Sequence, residues 1–194
     1  MNDWRRIEAF LEAKSAETGA SQNTLSAYAR DLTDFHEFLI DQKQDLMQVD
    51  MAGIETYLVD LVNRDLSRAT RARRLSAIKQ FFHFCLEENW RADHPALQIT
   101  GPGREKSLPK TMTVIDVDRL MDCAITTAKG EVERARNACL MQVLYATGMR
   151  VSELMSLPVA ACRGEPEFLL IKGKGDKERI VPLSPPASAA LTLW

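Results

Sequence analysis

The sequence predicts a mainly α fold, a four-helix bundle followed by a smaller α+β unit built around one β-hairpin. Three observations carry this reading. Apolar residues recur at helical spacing almost without a break up to residue 98. A polar stretch holding Gly101, Pro102, Gly103 and Pro109 then interrupts the period. Near the end, two short apolar runs flank the turn chemistry of Gly173-Lys174-Gly175-Asp176. With 194 residues, 45% hydrophobic and 27% charged, the chain is long enough to bury a core and too apolar for global disorder.

The first helix carries Trp4, Ile7, Phe10 and Leu11 on one face. After Thr18-Gly19-Ala20, Ser21 caps a second helix whose stripe of Leu25, Tyr28, Leu32, Phe35 and Leu39 has the spacing of a helix packed on helices. Asp50 caps a third, with Met51, Ile54, Tyr57, Leu58 and Leu61, and Ser67 caps a fourth, with Leu75, Ile78, Phe82, Cys85 and Leu86. Residues 1–98 are thus expected to form a helical bundle, residues 99–112 a linker and residues 113–194 a second unit.

That second unit opens with Thr113 and Asp116 as a capping box for a helix through Val117, Leu120, Met121 and Ala124. A longer helix follows over residues 131–146 and ends at Gly148, a residue able to take the left-handed conformation. A short helix covers residues 151–157, and strands at residues 168–171 and 179–183 form the hairpin. Pro182 cannot donate to a ladder, which puts the second strand at an edge or ends it there. Ser184 and Pro185 begin a last helix that Leu191-Thr192-Leu193-Trp194 leaves unfinished, as expected of a chain cut inside a domain.

Composition excludes several functions. The uncharged apolar stretch at residues 137–149 has 13 residues, short of the roughly 18 needed to span a bilayer. The N-terminus has no signal-peptide core, so a soluble cytoplasmic protein is expected. Cys85, Cys123, Cys139 and Cys162 offer neither a C-x-x-C pair nor zinc spacing, and Cys85 and Cys139 read as reduced core residues. Neither a metal nor another cofactor is expected.

The net charge of -2 conceals a local excess. Residues 64–79 hold Arg64, Arg68, Arg71, Arg73, Arg74 and Lys79 against Asp65 alone. Cations in the first turns of a helix oppose its dipole at about 0.3–1 kcal/mol each, so a polyanion is the natural partner. This makes Arg68, Thr70, Arg71, Arg73, Arg74 and Lys79 candidates for contact with such a polyanion, a nucleic acid among them; the bland alternative is a solvated face ion-paired to the acidic remainder of the domain. Arg150, just past the break at Gly148, can be held by Glu153 with its remaining donors facing a ligand. In the hairpin, glycines on either side of Lys174 let the loop approach a phosphate, with Lys172, Lys177 and Arg179 as further cations.

Taken in order, Tyr145-Ala146-Thr147-Gly148-Met149-Arg150-Val151-Ser152-Glu153-Leu154 and Gly173-Lys174-Gly175-Asp176-Lys177-Glu178-Arg179-Ile180-Val181-Pro182-Leu183 resemble the tyrosine recombinase family, most closely its Xer branch. The resemblance spans nearly the whole chain. It implies an N-terminal SAM-like core-binding domain that contacts DNA, then the first part of an α+β catalytic domain. It also implies that Arg150 is the first catalytic arginine, Glu153 its acidic support and Lys174 the hairpin lysine. In the family a tyrosine attacks the scissile phosphate without metal, arginines stabilise the transition state, and lysine protonates the leaving 5′ oxygen. The implied partners are a double-stranded recombination site and further recombinase subunits.

The family's later His-x-x-Arg element and nucleophilic tyrosine have no counterpart here. The histidines are His36, His83 and His94, and the tyrosines Tyr28, Tyr57 and Tyr145 read as core residues on apolar helical faces. The chain is therefore expected to bind DNA without cleaving it. The alternative is a truncated interaction module that interferes with a full-length recombinase. Missing helices are expected to leave apolar surface uncovered around Leu140, Val143 and Leu144.

Overall fold

The computed structural model describes residues 2–103, 111–164, 167–173 and 177–194. It contains two compact units, residues 1–107 and residues 108–194.

The first unit is built from α1 (Asp3–Thr18), α2 (Gln22–Asp41), α3 (Met51–Asn63) and α4 (Arg68–Glu87). Side chains start each helix: Asn2, Ser21, Asp50 and Ser67 accept from backbone N–H groups in the first turn of α1, α2, α3 and α4 respectively. Gly19, at φ 57°, closes α1 in the left-handed conformation. Helix α4 packs against the other three and buries Leu75, Ile78, Phe81, Phe82, Phe84 and Cys85. Around it gather Ile7, Phe10, Leu32, Phe35, Leu39, Ile54, Tyr57 and Leu61. The aromatic centre is packed edge-on, with Phe10 and Phe81 rings at 5.8 Å and Phe35 and Phe82 rings at 6.4 Å.

Gly53 occupies a helix interior because a Cβ there would lie 2.6 Å from Val49 Cγ2. Trp4 and Met51, read from spacing as core-facing, are exposed; each lies in the first turn of its helix, and Trp4 packs edge-on against buried His36. Ile99 differs in the other direction. It begins the expected linker but is buried in the first core with Ala96, because the chain after α4 turns back through bonds from Leu97 N to His94 O and from Ile99 N to Ala96 O. The rest of the linker expectation, from residue 104 to residue 110, falls outside the described residues.

The second unit comprises α5 (Val114–Thr126), α6 (Glu131–Thr147), α7 (Val151–Met155), a 3-10 turn (Val159–Cys162), the antiparallel strands β1 (Phe168–Lys172) and β2 (Glu178–Pro182), and α8 (Pro185–Leu193). The Thr113–Asp116 capping box opens α5. Leu169 and Ile171 point from β1 into a core with Cys139, Val143, Met149 and Ala187, while Phe168 and Leu170 point outward. Strand β2 ends at Pro182, opposite Phe168, where a missing N–H leaves no ladder bond unmade.

Two expectations for this unit are corrected. Tyr145 is not a core residue: it is 61% exposed, on the face of α6 opposite Val143 and Cys139. The surface around Leu140, Val143 and Leu144 is not laid bare, because α8 packs on α6; Val143 is fully buried and the two leucines half-buried. Exposed apolar residues do occur elsewhere in the unit, Val132, Leu193 and Trp194 among them.

Candidate nucleic-acid interface

In the helical unit, the charge excess of residues 64–79 is largely answered from α2. Arg73 pairs with Asp31, and Arg74 pairs with Asp34, lies 3.9 Å from Asp31 and donates to Tyr57 Oη at 3.0 Å. Arg64 reaches Asp34 at 2.7 Å and Asp60 at 3.3 Å, and the Tyr57 hydroxyl donates to Asp34 at 2.7 Å. Two carboxylates thus tie three arginines and a tyrosine across α2, α3 and α4.

Burial pushes the Asp31 carboxyl up, offset in part by the hydrogen bond and charge of Arg73. Burial also pulls Asp34 upward, but hydrogen bonds from Arg64 and Tyr57 outweigh it and hold that carboxyl below its ordinary value. Tyr57 is raised by burial and by its bond to Asp34, so it stays protonated as a donor. No nucleophilic use follows.

The sequence-based DNA set therefore divides. Arg74 is only 13% exposed and belongs to the interior network rather than to a binding face. Arg73 is 46% exposed and presents the edge of its guanidinium that Asp31 does not hold. Arg71 is half-buried along its stem, with Nε shielded. Arg68 is exposed in the first turn, Thr70 shares its hydroxyl with Ser67 at 2.9 Å, and Lys79 Nζ donates to Leu97 O at 3.3 Å. The signal that could have revealed the network is the pair Asp31 and Asp34, one helical turn apart beside the apolar stripe of Leu32 and Phe35.

The second unit holds a sharper arrangement. Helix α6 ends where Gly148 takes φ 60°, so the chain reverses and α7 begins at once with Arg150 as its cap. Glu153, one turn on, is 6% exposed and fully engaged. Its Oε1 accepts from Arg150 Nη1 at 2.8 Å and Arg179 Nη1 at 3.0 Å; its Oε2 accepts from Arg150 N at 2.7 Å and Arg179 Nη2 at 2.8 Å. A carboxylate has about four acceptor sites, and all are filled. Hydrogen bonds from Arg179 first, then from the Arg150 backbone and side chain, draw the Glu153 pKa down to about 2. Arg150 itself remains 67% exposed.

The hairpin is seated against this carboxylate by Gly173. A Cβ there would lie 3.2 Å from Arg179 Nη1 and 3.3 Å from Glu153 Oε1, so any side chain would crowd the approach of the strand end. Gly173 N donates to Lys177 O at 2.7 Å, and Lys172 and Glu178 pair across the strands at 3.6 Å. Lys177 is exposed beside them, whereas Arg179, read from sequence as a DNA contact, turns onto Glu153. Lys174 lies outside the described residues. An exposed guanidinium on a saturated, buried carboxylate is suited to bind a phosphate oxygen.

Comparison with known proteins agrees with this architecture. Residues 7–89 match the family described as "Phage integrase, N-terminal SAM-like domain", and residues 110–194 match "Phage integrase family". Tyrosine recombinase XerD of Caulobacter vibrioides is 43% identical over 187 residues, 96% of this chain and 61% of its own length. The chain belongs to the tyrosine recombinase family.

A second family member, tyrosine recombinase XerD of Agrobacterium fabrum, is 45% identical over 97% of this chain and 58% of its own length. The chain spans about three-fifths of the length of these recombinases. Among solved structures, the XerH site-specific recombinase bound to palindromic difH substrate aligns with 95% of this chain and 55% of its own, at 24% identity and a TM-score of 0.67. A lambda integrase dimer bound to a COC′ core site aligns with 94% and 49%, at 14% identity and a TM-score of 0.71. These likenesses show the recombinase fold.

Proposed function

We propose that these 194 residues bind duplex DNA as part of a site-specific recombinase, with α4 contacting the backbone and Arg150 receiving a phosphate. The observation that carries this reading is Arg150, exposed yet fixed by a buried Glu153 that has no acceptor site left over. A surface Arg–Glu pair would share its charge with solvent; here the carboxylate is spoken for and the guanidinium faces outward.

In the full reaction, attack by a tyrosine would put developing negative charge on the phosphate oxygens. Arg150 would stabilise that charge, and Lys174 would protonate the leaving 5′ oxygen. No His-x-x-Arg element occurs among these 194 residues. Of the three tyrosines, Tyr57 is buried and donates to Asp34, Tyr28 packs against Phe10, and Tyr145, though exposed, belongs to the segment just before Arg150 rather than to a later element of the kind that carries the family's nucleophile. A polypeptide of this sequence should accordingly bind without cleaving.

Fluorescence anisotropy with a labelled duplex at increasing NaCl tests the reading. Each neutralised phosphate should contribute about -0.9 to the log–log slope, and Arg71→Ala with Arg73→Ala should flatten it by about one unit or more. Equal binding by wild type and variant would reject α4 as the contact.

A second reading, an interaction module that pairs with a full-length recombinase and blocks its assembly, is favoured by the apolar groove lined by Ile125, Val132, Ala135, Ala138, Leu193 and Trp194. Adding the chain to a recombination assay with an Xer-type recombinase should then lower turnover, and Val132→Asp should relieve the inhibition. Turnover unchanged by excess chain would exclude this role.

A further inference from the structure

The bidentate contact from Arg179 to Glu153 sits on the element that carries the hairpin, 26 residues from the carboxylate in sequence. We propose that Arg179 is a positioning residue, holding Glu153 so that Arg150 is left exposed and cationic for a phosphate. The inference rests on the reading of Arg150 as a phosphate-binding arginine.

Valence and charge both assign Arg179 this role. Glu153 offers about four acceptor sites, and Arg179 fills two of them, one on each oxygen. The Arg150 backbone N–H takes the third, so one site remains for the Arg150 side chain, which commits only Nη1. Without Arg179, both oxygens regain a free site. The Arg150 fork could then turn to grip the carboxylate through two parallel bonds, the geometry an arginine prefers with such a partner.

The net charge changes as well. One carboxylate between two guanidiniums leaves the cluster at +1, whereas Arg150 with Glu153 alone is neutral. Arg179 thus supplies the excess positive charge without turning its own fork outward. Gly173 favours the arrangement, because a Cβ there would crowd both Arg179 and Glu153.

Two measurements on the 194-residue chain test this. The first needs no DNA: labelling of Arg150 by phenylglyoxal, followed by mass spectrometry. In Arg179→Ala, Arg150 should be captured by Glu153 and label about threefold more slowly, and the double variant Arg179→Ala with Glu153→Gln should restore the rate. A merely structural contact predicts the opposite, since loosening the hairpin would expose Arg150 and speed labelling; labelling unchanged or faster overturns the proposal. Arg179→Lys, which keeps the charge but grips one oxygen, should fall between, and serves if Arg179→Ala does not fold by circular dichroism.

The second measurement is duplex affinity by anisotropy. Arg179→Ala should weaken binding about threefold to fivefold in the wild-type background and clearly less in an Arg150→Ala background. Losses that add in full would make Arg179 a direct DNA contact and overturn the positioning role. If the wild-type chain fails to bind duplex at all, the DNA reading falls, while the labelling still decides what Arg179 does to Arg150.

Discussion

Glu153 concentrates the chemistry of the second unit in one side chain. Its pKa is drawn from an ordinary 4.5 down to about 2, by Arg179 first and then by Arg150. A carboxyl depressed by folding contributes stability that is fully present above its unfolded value and is lost as pH falls toward its folded one. The second unit should therefore lose protection between about pH 4.5 and pH 2, and Glu153→Gln should remove that part of the loss. Amide exchange over residues 149–155 measures it; identical pH dependence in wild type and variant would mean that the four hydrogen bonds do not act as drawn.

Arg74 makes the converse case, a residue that looked functional from its neighbours in sequence and is structural by placement. Its guanidinium is held by Asp34, Asp31 and Tyr57. Arg74→Ala should destabilise the helical unit by about 2–3 kcal/mol, toward the low end for removing one partner of a buried pair because Asp34 keeps Arg64. Chemical denaturation followed by circular dichroism reads this directly. Its effect on DNA affinity should be smaller than that of Arg73→Ala, whose side chain is 46% exposed.

At the scale of elements, local chemistry made most of the fold legible. Ser21, Asp50, Ser67 and the Thr113–Asp116 pair were readable as caps because a cap is decided within one turn, and each performs that role. Gly148 was readable as a helix end for the same reason, and the hairpin from the two apolar runs around its turn. What could not be read was pairing over distance. Asp31 and Asp34 meet arginines about 40 residues away, and Arg179 meets Glu153 from 26 residues away. A residue's own stretch says it is charged and never says which partner the topology will bring.

Tyr145 shows a different limit, since helix α6 has apolar residues on more than one side and spacing alone chose the wrong one. Within the hairpin, Gly173→Ala should weaken seating on α7, because the added Cβ meets Arg179, Glu153 and the Lys177 carbonyl at 3.2–3.4 Å. Faster amide exchange at Ile171 and Arg179 is the expected result. Unchanged exchange would show that the close approach does not hold the strand in place.

As a whole molecule, the chain is two units with separate cores, one wholly helical and one built around the α6–α8 pair and the hairpin. A net charge of -2 would argue against DNA binding if charge were spread evenly. It is not: carboxylates answer Arg64, Arg73 and Arg74 from within, while Arg68, Arg73 and Arg150 keep exposed side chains at the two candidate contacts. Few strong phosphate contacts, rather than a broad basic face, should give a moderate salt slope. The most direct test is anisotropy of the 194-residue chain on a labelled duplex between low and physiological salt, with Arg73→Ala and Arg150→Ala alongside. Affinity should fall linearly in log–log form, with each substitution reducing the slope by about one. Affinity indifferent to salt, or a slope untouched by both substitutions, would contradict DNA binding through these arginines.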